Sequence, residues 1–249
     1  MTERTQLELP AQIMCGVLAG PLFVSAFTVI GARRPGYDWQ RHAVSSLAVG
    51  RRGWLQRANF ILAGVLYSCA ARGLGRCTRR SVGPRAIPAL VAGVGIGLIG
   101  SGVFVTDPVA GFPPEISHEE KSDDTCVVGT APTREGWLHN ISAIPIFAGI
   151  PVAGLVSAAA ALRSKDYRWA SYSAESSLVM ASSFLLFGRA FAGESHLAGK
   201  GGISQRISIA SGFGWLTALS LRALSSLPSF DRRLQDSPEP VRQPVKGPT

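Results

Sequence analysis

Long apolar runs separated by short polar, arginine-bearing connections make up most of this chain. Ala11 to Ala32, Ala86 to Thr106 and Leu138 to Leu162 contain no Asp, Glu, Lys or Arg. Each is long enough for a helix to cross a hydrocarbon core of about 30 Å, which takes about 20 residues. Three further stretches, about 55–74, 171–192 and 206–224, are apolar with polar interruptions: Gln56, Arg57 and Asn59 open the first, and Glu175 and Arg189 lie in the second. The pattern predicts an all-α, polytopic membrane helix bundle with six transmembrane helices at about 12–31, 55–74, 86–105, 137–162, 171–192 and 206–224. One transmembrane domain, 12–225, then lies between a polar leader, 1–11, and a disordered cytoplasmic tail, 226–249, rich in proline and charge.

Small residues refine the picture. Gly16 and Gly20 in the first span have the GxxxG spacing that lets another helix approach closely, and the third span carries Gly93, Gly95, Gly97, Gly100 and Gly102. Pro145 and Pro151 predict a kink in the fourth span, because each removes a backbone donor. Residues 107–136 form the longest connection, acidic and proline-bearing.

Composition agrees with the pattern. The 249 residues are 46% hydrophobic and only 16% charged, against about 25% charged in ordinary soluble domains. A net charge of +9 raises the question of nucleic acid. The arginines, however, cluster at the ends of apolar runs, where lipid headgroups and orientation explain them, so no nucleic-acid partner is expected. Cys15, Cys69, Cys77 and Cys126 form no CxxC pair, which excludes a zinc knuckle or a disulfide framework. No Walker loop, Rossmann glycine motif, GxSxG elbow or HExxH is present. Neither a cofactor nor a metal is expected.

The most ordered polar stretch is Arg33 to Trp54, RRPGYDWQRHAVSSLAVGRRGW. Pro35-Gly36 reads as a turn, and from Asp38 onward the spacing Asp38, His42, Ser45 or Ser46 and Val49 places an acid, an imidazole and hydroxyls on one face of a short helix. Asp38 with His42 at i, i+4 is the best single pair for orienting an imidazole, either for chemistry or as a local ion pair.

Six spans put both termini on one side. With the N-terminus inside, fourteen Lys and Arg flank the inner ends and ten the outer ends, which favours an N-in/C-in orientation. All four histidines then fall on the outer side, as do Asp38, Asp107 and Glu194. If span ends gather around one axis, Asp38, His42, Asp107, His139 and Glu194 are the candidate acid/base groups of a wetted pocket. Tyr37, Ser45, Arg189, His196 and Arg206 are its candidate binding groups. The alternative is that these polar groups bond only headgroups, helix ends and one another. Glu175 reads as a headgroup-level acid at the inner end of the fifth span.

Four blocks carry a family resemblance: GYDWQRHAVSSLAVGRRGWLQRANFILAG after the first span, FVTDP ending the third, GWLHN entering the fourth and KGGISQRIS entering the sixth. Together they resemble the DUF998 family of bacterial six-span membrane proteins, from about Cys15 to Leu224. The resemblance implies a six-helix bundle with a polar motif after the first span, in which Tyr37, His42 and Ser45 or Ser46 stand at motif positions. It implies no established activity. The acidic loop is longer than the family's usual connection.

Two functional readings follow. In one, an integral membrane protein of the bacterial inner membrane binds a lipid or small apolar molecule in a polar pocket at the extracytoplasmic end of the bundle. In the other, an intramembrane enzyme uses Asp38, Asp107 or Glu194 as proton donor and His42 or His139 as partner on a lipid-soluble substrate, such as a terpenoid to be cyclised or a lipid to be modified. No internal repeat relates spans one to three and four to six, which argues against alternating access.

Overall fold

The computed structural model describes residues 3–77, 83–109, 111–113, 133–192 and 199–227. It is all-α. The helices are α1 (Glu3–Ala32), α2 (Trp54–Arg76), α3 (Ala86–Val103), α4 (Arg134–Phe147), α5 (Gly149–Arg163), α6 (Tyr167–Phe191) and α7 (Gly201–Ser225). The first span begins earlier than its apolar run, since helix continues back through the polar leader to Glu3. The expected tail lies outside the described residues from 228 onward.

Helices α4 and α5 are one rod broken at Ala148. The break falls where the missing N–H groups of Pro145 and Pro151 weaken consecutive turns, as their positions predict. Four helical stretches are long and apolar enough to cross a membrane: Glu8–Ala32, Ala86–Val103, Arg134–Arg163 and Gly201–Ser225.

Counting α4–α5 as one rod, the helices form a closed ring in chain order. α1 packs on α2, α2 on α3, α3 on α4 and α5, α5 on α6, α6 on α7, and α7 back on α1. Small residues set the tightest approaches. Gly16 of α1 faces Ala70 and Ser220, and Gly64 of α2 lies against the backbone of Gly95 and Ile99 in α3, where a side chain would not fit. Phe23, Phe60, Tyr67, Phe213 and Trp215 fill the middle of the ring.

The polar residues opening α2 turn inward. Gln56 and Asn59 are buried, and Asn59 Nδ2 donates to the Phe23 carbonyl at 3.1 Å and to Gln56 Oε1 at 3.3 Å. Arg57 donates to the carbonyls of Gly102 and Val103 at 3.0 and 3.2 Å, capping the C-terminus of α3.

At the other end of the bundle, Asp166 caps α6 by accepting from Trp169 N at 3.2 Å and pairs with Arg222 of α7 at 2.8 Å. The Arg222 guanidinium also lies over the Trp169 ring, 5.0 Å from its centroid. The Trp169 amide and Arg222 hold the Asp166 carboxyl below its ordinary pKa, against a smaller opposing effect of burial.

Candidate functional site

The 33–53 segment folds over one end of the ring. It is not the helix its spacing predicts: after a turn at Gly36, which has φ 73°, it runs through further turns into a single 3-10 turn, Ser45–Ala48. Off a helix, the i, i+4 spacing of Asp38 and His42 no longer puts carboxylate against imidazole. The Asp38 carboxylate accepts instead from Gln40 N at 2.9 Å, an Asx turn. It is the Asp38 backbone N–H that donates to His42 Nδ1, at 2.9 Å. A nitrogen that accepts carries no proton, so the neutral His42 ring is protonated on Nε2. His42 is buried between the rings of Tyr37 and Phe112, 5.6 and 5.0 Å away.

The start of α7 fastens this segment. Ile203 N donates to the Gln40 carbonyl at 3.1 Å, and Gln205 Oε1 accepts from Val44 N at 2.6 Å. Arg206 Nη1 donates to the carbonyls of Trp39, His42 and Gly202 at 2.7, 3.3 and 3.1 Å, and Arg206 Nη2 donates to the Tyr37 hydroxyl at 2.6 Å. The Tyr37 hydroxyl itself donates to the Ala43 carbonyl at 3.0 Å. Burial pushes the Tyr37 phenol above its ordinary pKa, with Arg206 working the other way. Arg34 adds a bond from Nη2 to the Val49 carbonyl at 2.7 Å. Gly202 makes the fit possible, since a Cβ there would lie 2.5 Å from the Trp39 carbonyl oxygen. Tyr37 and Arg206, read from the sequence as binding groups, are therefore clamps on the loop.

A second dock joins the end of α3 to the start of α4. Asp107 Oδ1 accepts from Thr133 Oγ1 at 2.5 Å and Asp107 Oδ2 from Thr133 N at 3.1 Å. Thr133 Oγ1 in turn caps Gly136 N at 3.0 Å. The carboxylate thus sits at a helix N-terminus, where the helix dipole favours negative charge. Gly136 faces it directly, and any side chain there would strike the carboxylate. One turn on, His139 Nδ1 lies 3.0 Å from the Phe104 carbonyl oxygen. A carbonyl only accepts, so Nδ1 is the protonated nitrogen.

Between the two docks lies a cavity of about 820 Å³, within the range of small-molecule sites. Its wall is dominated by phenylalanine: Phe23, Phe60, Phe147, Phe184, Phe187, Phe191 and Phe213. Polar atoms come from Ser45 and the Ala43–Val44 backbone of the loop, from Ser101, Thr106 and Asp107 at the end of α3, from Thr133, His139 and Asn140, and from Gln205. Of the groups expected from sequence, Asp107, His139 and Ser45 line it. Asp38, His42, Tyr37, Arg189 and Arg206 do not, and Glu194 and His196 lie outside the described residues, as does most of the acidic loop.

The phenylalanine wall and Ser101 escaped the sequence reading. Its signal was the spacing of Phe184, Phe187 and Phe191, one face of α6. Below the break α5 packs along α6, whereas α4 above it barely touches α6. Where they do meet, Phe147 at the end of α4 stacks on Phe184 of α6, 4.0 Å between centroids, and both rings line the cavity beside Asn140.

Fold and site define a class: an all-α bundle with four membrane-length helices around an aromatic cavity, closed at one end by a loop clamped to the last helix. Residues 17–222 match the family model described as "Protein of unknown function (DUF998)", and the chain belongs to that family. No curated protein and no solved structure matches it.

Proposed function

We propose that this chain is an integral protein of the bacterial inner membrane, with six spans and both termini inside, that binds a lipid or small apolar molecule in the cavity at its extracytoplasmic end. The observation that carries the reading is the cavity itself, greasy in its walls and polar at its roof.

Six spans are favoured by the two helices that composition alone passes over. α2 and α6, with 23 and 25 residues, are about 35 Å long at 1.5 Å per residue. Both bury polar residues and expose large apolar ones: α2 buries Gln56 and Asn59 and exposes Leu62 and Val65, and α6 buries Ser173 and Ser177 and exposes Leu178 and Leu185, while Arg57 and Arg72 of α2 and Glu175, Ser182 and Arg189 of α6 are exposed as well. That is the arrangement of a helix facing lipid. Exposed Trp39, Trp54 and Trp137 ring the loop end, and exposed Tyr167 and Tyr172 lie at the opposite end, as interfacial belts would.

The orientation rests on the charge bias, fourteen Lys and Arg at the inner ends against ten at the outer ends.

Acid/base catalysis is the weaker reading. The Asp38 carboxylate is occupied by the Gln40 amide and both Asp107 oxygens by Thr133, so neither acid is presented to the cavity as a donor.

Native mass spectrometry of the protein purified from its own membranes in mild detergent tests the proposal. A retained apolar molecule is expected on the wild type and lost from Ala143→Trp, whose ring would fill the cavity that Ala143 lines. A wild type that carries nothing, or an adduct indifferent to that substitution, would contradict it.

A further inference from the structure

Resting on that reading of the cavity, we infer that its ligand is an uncharged lipid whose head is a single carbonyl or hydroxyl oxygen, and that Ser101 is the residue that recognises it.

Ser101 stands out among the helical serines of this bundle. Ser68, Ser142, Ser177 and Ser220 each turn back to donate to the carbonyl four residues earlier, at 2.7 to 2.8 Å. That is the usual way for a hydroxyl to satisfy itself on a helix in an apolar setting. Ser101 does not. The residue is 1% exposed, its Oγ has no hydrogen-bond partner among the described residues, and it lines the cavity together with His139, Phe60 and Leu98. A buried hydroxyl without a partner costs free energy unless something in the cavity bonds to it. A ligand carbonyl accepts from Ser101, and a ligand hydroxyl serves equally.

The charge of the wall excludes the other common lipid heads. Among the described residues no Lys or Arg lines the cavity, and Arg206, the nearest arginine in sequence to the lining Gln205, is spent on the carbonyls of the loop. Among the described residues a phosphate or carboxylate would find no counter-ion on this phenylalanine wall, and burying it there unpaired is costly. The one formal charge on the wall among the described residues, Asp107, is already bonded by Thr133 through both oxygens and sits at the start of α4. It is therefore poorly placed to reward an ammonium head. An oxygen-headed isoprenoid or alkyl lipid meets all of these conditions: tail against the phenylalanines, head at Ser101.

The test keeps the tail constant and varies only the head. The full-length protein in detergent is given equal amounts of farnesol, farnesyl phosphate and farnesylamine, and the adducts are counted by native mass spectrometry. Farnesol is expected to predominate over each charged analogue by about tenfold. In Ser101→Ala its adduct should fall by about fivefold, the worth of one hydrogen bond. Because that substitution removes an unpartnered hydroxyl, the thermal stability of the ligand-free protein should not fall, which separates recognition from folding. Predominance of the phosphate or the amine, or farnesol binding unchanged in Ser101→Ala, overturns the head-group inference while leaving the cavity a binding site. Absence of every adduct overturns both.

Discussion

Arg206 and Tyr37 lie 169 positions apart in the chain and meet through a 2.6 Å hydrogen bond from guanidinium to phenol. The same guanidinium reaches three backbone carbonyls and lies over the Tyr37 and Phe27 rings, 5.5 and 5.7 Å from their centroids. One side chain of the last helix thereby fixes the loop that follows the first and roofs the cavity.

Arg206→Ala should lower stability by roughly 2–4 kcal/mol, since several charge-assisted bonds to backbone carbonyls go at once. Arg206→Lys should recover little of this, because an ammonium cannot fork among acceptors spread in different directions. Tyr37→Phe should cost about 1 kcal/mol. Thermal unfolding in detergent ranks the three.

Gly202→Ala should be costly for its size, roughly 1–3 kcal/mol, since the added methyl meets the carbonyls of Trp39 and His42 at 2.5 and 2.6 Å. Gly214→Ala on the same helix, with nothing within 4 Å of the new Cβ, should be neutral or slightly stabilising. Equal effects in the two variants would remove the close approach of loop and helix from the account.

Thr133→Ala removes both the cap of α4 and a donor to Asp107, and a loss of about 1 kcal/mol is expected. Asp107→Ala should be at least as damaging. In a double-mutant cycle the two substitutions should be clearly less than additive, as their groups are bonded to each other.

Asp166 supplies the pH dependence. Its carboxyl titrates below the ordinary value because the Trp169 amide and Arg222 favour the charged form. A lowered folded pKa means that the stabilisation is present above the unfolded value, about pH 4. It is lost as pH falls through the folded value. Wild type should therefore be more stable than Asp166→Asn at pH 7, and the gap should narrow on acidification below about pH 4. A gap that widens there would contradict the assignment.

The helices were legible in the sequence because lipid-length apolar runs need no knowledge of neighbours, and so was the break at Ala148, because Pro145 and Pro151 act locally. The four polar blocks were visible as patterns, but their pairing was not. Nothing in KGGISQRIS says that its Gln205 and Arg206 close on the backbone of residues 39–44, and nothing in FVTDP says that Asp107 serves the helix beginning at Arg134. Those are distance relations across the whole bundle. Asp38 and His42 do not share the helix face expected of them for a physical reason: their spacing brings side chains together only on a helix, and the chain from Arg33 to Val44 runs through turns and bends instead. His139, Asp107 and Ser45 line the cavity because the segments that carry them meet at one end of the bundle. Ser101 was hidden as an ordinary small residue in a glycine-rich span.

Site-directed cysteine labelling is the most direct test of the six-span bundle with its roofed cavity on the outer face. In a variant lacking Cys15, Cys69, Cys77 and Cys126, single cysteines replace Arg51 and Lys200 at the loop end and Lys165 at the opposite end, all exposed positions. A membrane-impermeant thiol reagent applied to intact cells should label Arg51→Cys and Lys200→Cys, and should reach Lys165→Cys only after the membrane is opened. Labelling of Lys165→Cys alone in intact cells would turn the bundle over, and labelling of all three would mean that it does not separate two compartments.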